Sequence, residues 1–206
     1  MSWFVYSSLN TCTLTSCFTS GGSALTTYSV DPIQGLFDPI QTFVFHMDGP
    51  GPNPSRQDVP HPHGVYVDPT GCYVLVPDLG ADLIRIFAIN QQTGYLESVS
   101  PFVTEPGLGP RHIAFWMPAG PSPPWEVDEG EVYLYLVSEL TNLLLGYKVT
   151  YSSEGLSFTK LYEESTFGQH KPGPEGSKAA EIAISVSAFS STHTCDIYVI
   201  LTGYTM

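Results

Sequence analysis

Three stretches of this chain share one punctuation. Gly22-Ser23-Ala24-Leu25-Thr26-Thr27-Tyr28, Ala81-Asp82-Leu83-Ile84-Arg85-Ile86-Phe87 and Asn142-Leu143-Leu144-Leu145-Gly146-Tyr147 each run to an aromatic residue, and the aromatics stand 59 and 60 residues apart. Each is followed by a polar turn and a glycine just ahead of an apolar residue, at Gly35-Leu36, Gly94-Tyr95-Leu96 and Gly155-Leu156. A fixed period of this kind limits a fold severely, because every copy must be one supersecondary unit that cannot bury its apolar face without its neighbours.

The content of one period says which unit it is. The tracts Gly64–Val67, Tyr73–Val76, Leu83–Ile89 and Leu96–Val103 are short and rich in β-branched and aromatic residues. Turn formers bound them at Asp68-Pro69-Thr70-Gly71, Pro77-Asp78-Leu79-Gly80 and Asn90-Gln91-Gln92-Thr93-Gly94. Four strands per period is the natural reading, with a hairpin between the last two. No tract has a 3.6-residue apolar period with helix caps, so the expectation is an all-β chain, a β-propeller built from four-stranded antiparallel blades. The inner strands are expected near residues 63–67, 112–116 and 180–185. Eighteen prolines and 19 glycines supply the turns, while 42% hydrophobic residues allow a sizeable core.

Charge removes two classes of partner. With 20 acidic and 7 basic residues the formal charge is −13, a surface that repels nucleic acid and anionic membranes. No run reaches the 18 or so apolar residues needed to span a bilayer. The opening Met1-Ser2-Trp3-Phe4-Val5-Tyr6 has no basic segment ahead of it, so no cleaved signal peptide is expected and the cytoplasm is the expected compartment. Cysteines 12, 17, 72 and 195 form no C-x-x-C pair; reduced structural thiols are the first reading and a Cys12–Cys17 disulfide the second.

Polar residues at matched repeat positions nominate the site. His61-Pro62-His63 opens one inner strand and Gly109-Pro110-Arg111-His112 the next. A neutral imidazole at His63 suits general-base work near neutral pH, against the plainer reading of a hydrogen bond between blades. His61 and His63, two apart, face the same way on a strand and could chelate a metal, although no third ligand stands nearby and Pro62 interrupts the strand. Arg111 could clamp a carboxylate or phosphate or stabilise an oxyanion, or simply pair neighbouring blades. His112 beside it reads as structural. Glu139, in an expected strand Val132–Leu140, stands where the preceding repeat has Asp78; a recurring carboxylate usually closes turns, and Asp78 and Asp82 are read that way.

The run from Arg56-Gln57-Asp58 through His61-Pro62-His63 to Asp68-Pro69-Thr70-Gly71, followed by Val76-Pro77-Asp78-Leu79-Gly80-Ala81-Asp82, Gly107-Leu108-Gly109-Pro110-Arg111-His112 and Ser138-Glu139-Leu140, resembles the seven-bladed propeller lactonases. That family includes propeller-type 6-phosphogluconolactonases and the fungal carboxymuconate cyclases, and the resemblance spans about residues 20–184. It implies a lactonase like 6-phosphogluconolactonase, opening a sugar-acid lactone to its carboxylate, with a carboxymuconate-type cycloisomerase as the alternative. It implies His63, Arg111 and Glu139 as catalytic residues meeting at one mouth of the channel, no organic cofactor and no metal. A metal-dependent gluconolactonase-like site and a catalytically inactive binding module are the competing readings.

Compared with the family, the 206 residues are expected to hold about three blades' worth of a seven-bladed ring, in a truncated single domain. The expected division is an atypical segment 1–19, outer strands at 20–47, blades at 60–105 and 110–165, and a partial blade at 178–204. After Ala179–Ser185 the family's continuation is replaced by Val186–Thr194, and the family's later site arginine has no counterpart. Incomplete blade faces lead to an expectation of self-association and of inactivity in the isolated monomer.

Overall fold

The computed structural model describes residues 5–9, 11–18, 23–30, 33, 37–117, 131–168, 171, 173–185 and 197–203. Every regular element among them is a strand, so the chain is all-β. Strands β1 (Val5–Leu9), β2 (Thr11–Phe18), β3 (Ala24–Val30) and β4 (Phe37–Val44) form one antiparallel sheet in sequence order. A second sheet orders β5 (Tyr66–Val67), β6 (Tyr73–Asp78), β7 (Leu83–Ile89) and β8 (Leu96–Val103). The third comprises β9 (Pro110–Trp116), β10 (Val132–Ser138), β11 (Leu143–Ser152) and β12 (Gly155–Ser165), and β13 (Ser177–Ile184) pairs with β14 (Ile197–Gly203). The three sheets repeat the meander that makes a propeller blade.

Tyr28, Phe87 and Tyr147 all fall on the third strand of their sheets, and in each sheet the pairing of third and fourth strands contains a bulge. β7 and β8 begin and end at the residues read from sequence, because both ends carry turn chemistry. Asn90 Oδ1 accepts the amides of Gln92 and Thr93 at 3.0 Å each, and Gly94 takes φ 72° to close the hairpin. At the β5–β6 turn the Asp68 carboxylate accepts the amides of Thr70, Cys72 and Tyr73.

Three expectations differ from what is observed. The inner strand expected at Gly64–Val67 shrinks to Tyr66–Val67, because Pro60 and Pro62 have no amide to donate. The segment before it is held instead by a bridge from Pro62 to Asp78 and by His63 N donating to Pro77 O at 3.0 Å. β10 stops at Ser138, two residues short, since Ser138 Oγ accepts the Thr141 amide and bends the chain there; Glu139 therefore stands in a turn. Residues 5–18, expected to be atypical, supply β1 and β2 and make the first sheet four-stranded. β2 also holds both Cys12 and Cys17; five residues of extended strand separate their Cα atoms by roughly 16 Å, far beyond disulfide reach. Gly35, Cys195 and 186–194 lie outside the described residues.

Compactness divides the chain into two units, Met1–Gly109 and Pro110–Met206. In the first, Leu25, Phe45, Val65, Val74, Val76, Phe87 and Leu96 form a buried cluster between the first two sheets. Phe43 lies 4.9 Å from Phe87, ring centre to ring centre. Removing a side chain such as Phe87 from water contributes about 1.5–3 kcal/mol. In the second, Val137, Ala179 and Ile182 form the buried centre of the contact between β10 and β13. The outer strands β8 and β12 are largely exposed, the polarity expected of a blade rim. Gly80 has a steric reason: a Cβ there would sit 1.9 Å from the Val59 carbonyl, so only glycine lets residues 59–61 pass.

Candidate functional site

Arg111 stands near the start of the second unit, on β9. Ahead of it, the Asp82 carboxylate accepts the amides of Gly107 and Gly109 at 2.6 and 2.8 Å, fixing the turn. Pro110 then opens the strand, and Arg111 is its second residue. The guanidinium is held at two points: Nε donates to the Ala180 carbonyl at 2.8 Å, and Nη1 pairs with Glu139 Oε2. Glu139, in the turn after β10, is only 3% exposed, and its other oxygen meets Lys178 Nζ at 3.3 Å. One buried carboxylate thus carries two cations, whose own side chains are 18% and 30% exposed.

Lys178 is fixed from both sides. Asn142, at φ 53°, donates Nδ2 to the Ser177 carbonyl at 2.9 Å and accepts the Ala179 amide on Oδ1 at 2.7 Å. These bonds straddle Lys178 in the backbone and pin β13 where its side chain reaches Glu139.

His112, next along β9, turns the other way and is almost completely buried, with Nδ1 2.8 Å from Glu181 Oε1. Burial pushes its pKa below the usual imidazole value; Glu181 opposes that shift and the Arg111 charge adds to it. A buried, partnered imidazole of this kind is structural, as its sequence context indicated.

In the first unit His63 is half-buried at the start of the inner segment. His61 Nε2 is occupied by Asp58 Oδ1 at 3.0 Å, and that contact lowers the Asp58 pKa. Among the described residues no group of three or more His, Cys, Asp or Glu is arranged to hold a metal ion. Asp78 is fully buried: Oδ1 accepts the His61 and Ala81 amides, while Oδ2 takes both Nε and Nη2 of Arg85 at 2.8 Å. Of the three expected catalytic residues, Arg111 and Glu139 are therefore in contact, and His63 belongs to the other unit.

Comparison with known proteins identifies the family of the fold. The model of the family "Lactonase, 7-bladed beta-propeller" matches residues 11–197. The chain belongs to that family. It is 37% identical to a protein of Arthroderma benhamiae named "Probable 6-phosphogluconolactonase", over 76% of this chain and 37% of the relative. It is 34% identical to the Bacillus subtilis 6-phosphogluconolactonase over 46% of this chain and 23% of that one. A solved protein from Lactobacillus plantarum superposes with a TM-score of 0.67 at 23% identity, covering 93% of this chain and 48% of its own length, a likeness of fold. The chain spans about a third or less of the length of these curated relatives.

Within this family member, sequence reasoning missed Lys178. The signal was present: matching Ile182-Ala183 to Ile113-Ala114 puts Ala180 at the position of Arg111, and Lys178 at the strand-opening position of Gly109 and His61. Asn142 was equally readable, since it stands 60 residues after Asp82.

Proposed function

We propose that this chain is part of a lactonase resembling 6-phosphogluconolactonase, acting on a small anionic sugar-acid lactone. The observation that carries the reading is the buried Glu139 carboxylate held against Arg111 in a propeller lactonase. Water attacks the lactone carbonyl, the ring C–O bond breaks, and the products are a hydroxyl group and a carboxylate with release of one proton. Arg111 stabilises the oxyanion of the tetrahedral intermediate. With Arg111 on one oxygen and Lys178 on the other, Glu139 is placed to orient the guanidinium. The role of proton carrier falls to His63 on the family resemblance.

Self-association and a cytoplasmic setting belong to the same proposal. Tyr198 and Ile200 of β14 are each more than half exposed, an apolar strand surface that a second copy would cover, and the described Cys72 is a free thiol. The test separates the chain on a sizing column and assays every species against 6-phosphogluconolactone, with the spontaneous rate subtracted. Hydrolysis above that rate, lost in Arg111→Ala, supports the reading. A folded protein with no activity in any fraction overturns it in favour of a binding module.

A further inference from the structure

Resting on that reading, we propose that Lys178 is a second anion-binding group of the site, which holds a phosphate carried by the ligand while Arg111 faces the lactone carbonyl. Only 7 residues of the chain are Lys or Arg, yet two of them converge on one carboxylate. Convergence is costly for like charges, and Glu139 is the counter-ion that lets them stand side by side. The trio keeps a surplus of one positive charge. Glu139 is only 3% exposed, while Arg111 and Lys178 keep 18% and 30% of their side-chain surface exposed. Nη2 of Arg111 makes no hydrogen bond among the described residues and remains available to an oxyanion.

The ammonium is also pre-positioned. Asn142 grips the backbone on either side of it, so ordering Lys178 costs little when an anion arrives. A compact ammonium with three donors suits the oxygens of a phosphate dianion better than the single charge of a carboxylate.

Titration calorimetry with inorganic phosphate at low ionic strength tests the proposal, with acetate as the carboxylate arm. Phosphate is expected to bind more tightly than acetate. Lys178→Gln should weaken phosphate binding about 10-fold, and Lys178→Arg should restore it to within about 3-fold of the original. Glu139→Gln removes the counter-charge, so phosphate should bind more tightly to it, about 3- to 10-fold. Circular dichroism and melting of each variant confirm the fold. Wild-type protein without phosphate affinity, unchanged affinity in Lys178→Gln, or unchanged or weaker affinity in Glu139→Gln overturns the proposal, and so does preference for acetate. Phosphate binding without lactone hydrolysis leaves the role of Lys178 standing and removes only the enzymatic reading. Hydrolysis whose KM is untouched by Lys178→Gln removes Lys178 alone.

Discussion

The second and third sheets are built to one plan and use it differently. Both end their second strand on a polar residue paired with the proline ahead of it, Asp78 with Pro62 and Ser138 with Pro110; the third sheet's carboxylate, Glu139, comes one residue later, and both sheets then place a residue at positive φ, Asp82 at 50° and Asn142 at 53°. In both, the carbonyl of that residue accepts the amide and hydroxyl of a threonine at the close of the outer strand, Thr104 or Thr166. What differs is the source of the cation. Arg85 rises from β7 into Asp78, so the second sheet neutralises its own charge. Its counterpart in the third sheet is Leu145, fully buried and apolar, so Glu139 draws Arg111 from the start of β9 and Lys178 from β13. A carboxylate satisfied inside its sheet has a structural task there. The proposed function gives a chemical one to the carboxylate satisfied by residues at strand openings.

Arg85→Met gives the largest effect on stability. It strands a fully buried carboxylate, and breaking such a pair costs about 3–5 kcal/mol, read as a lowered denaturant midpoint. Arg111→Met should cost clearly less, because Glu139 keeps Lys178; equal losses would break the distinction between the two sheets. The same Arg111 substitution should lower turnover about 10²- to 10³-fold in any active species, as the loss of an oxyanion donor does. A change confined to KM would assign Arg111 to substrate binding instead.

The contrast also explains what could be read in advance. Strand tracts were legible because turn residues bound them: Asn90 and Gly94 fix the β7–β8 hairpin through backbone and side-chain bonds that lie within a few residues of each other. β10 was overextended for the opposite reason, since the Ser138 hydroxyl that ends it looks no different in sequence from a strand serine. Arg111 and Glu139 were legible through family motifs, but their contact spans 28 residues and depends on sheet register. Lys178 reaches Glu139 across 39 residues, and only the alignment of β13 with β9 marks it, since its alanine neighbours carry no motif. Pairing across a sheet is set by packing, which a linear pattern records only where the repeat aligns.

Exchanging the two clamp residues sharpens the comparison at smaller magnitude. Asp82 accepts two amides and needs two oxygens; Asn142 donates once and accepts once. Asp82→Asn points an amide nitrogen at a backbone N–H, and Asn142→Asp points a carboxylate oxygen at the Ser177 carbonyl. Each should cost about 1–3 kcal/mol, the price of an unsatisfied buried partner. Asn142→Asp should in addition loosen Lys178 and weaken phosphate binding, whereas Asp82→Asn should leave it alone. Equal effects on phosphate would show that the clamps do not act locally.

The smallest effect is a pH dependence. Burial lowers the His112 pKa below its unfolded value near 6.5, so between the two values the unfolded chain holds more protons than the folded one. Stability therefore rises with pH through that window and falls as pH drops below about 6.5, by at most about 1.4 kcal/mol per unit. Glu181 opposes the shift, since it is the partner an imidazolium would keep, while Arg111 reinforces it. Urea midpoints at pH 7.5 and 5.5 should accordingly separate in the native chain and converge in His112→Asn. Glu181→Gln should widen the separation, because the folded pKa drops further once the carboxylate is gone. A native chain equally stable at both pH values would mean that the Glu181 contact cancels burial completely, and that the two faces of β9 are electrostatically alike.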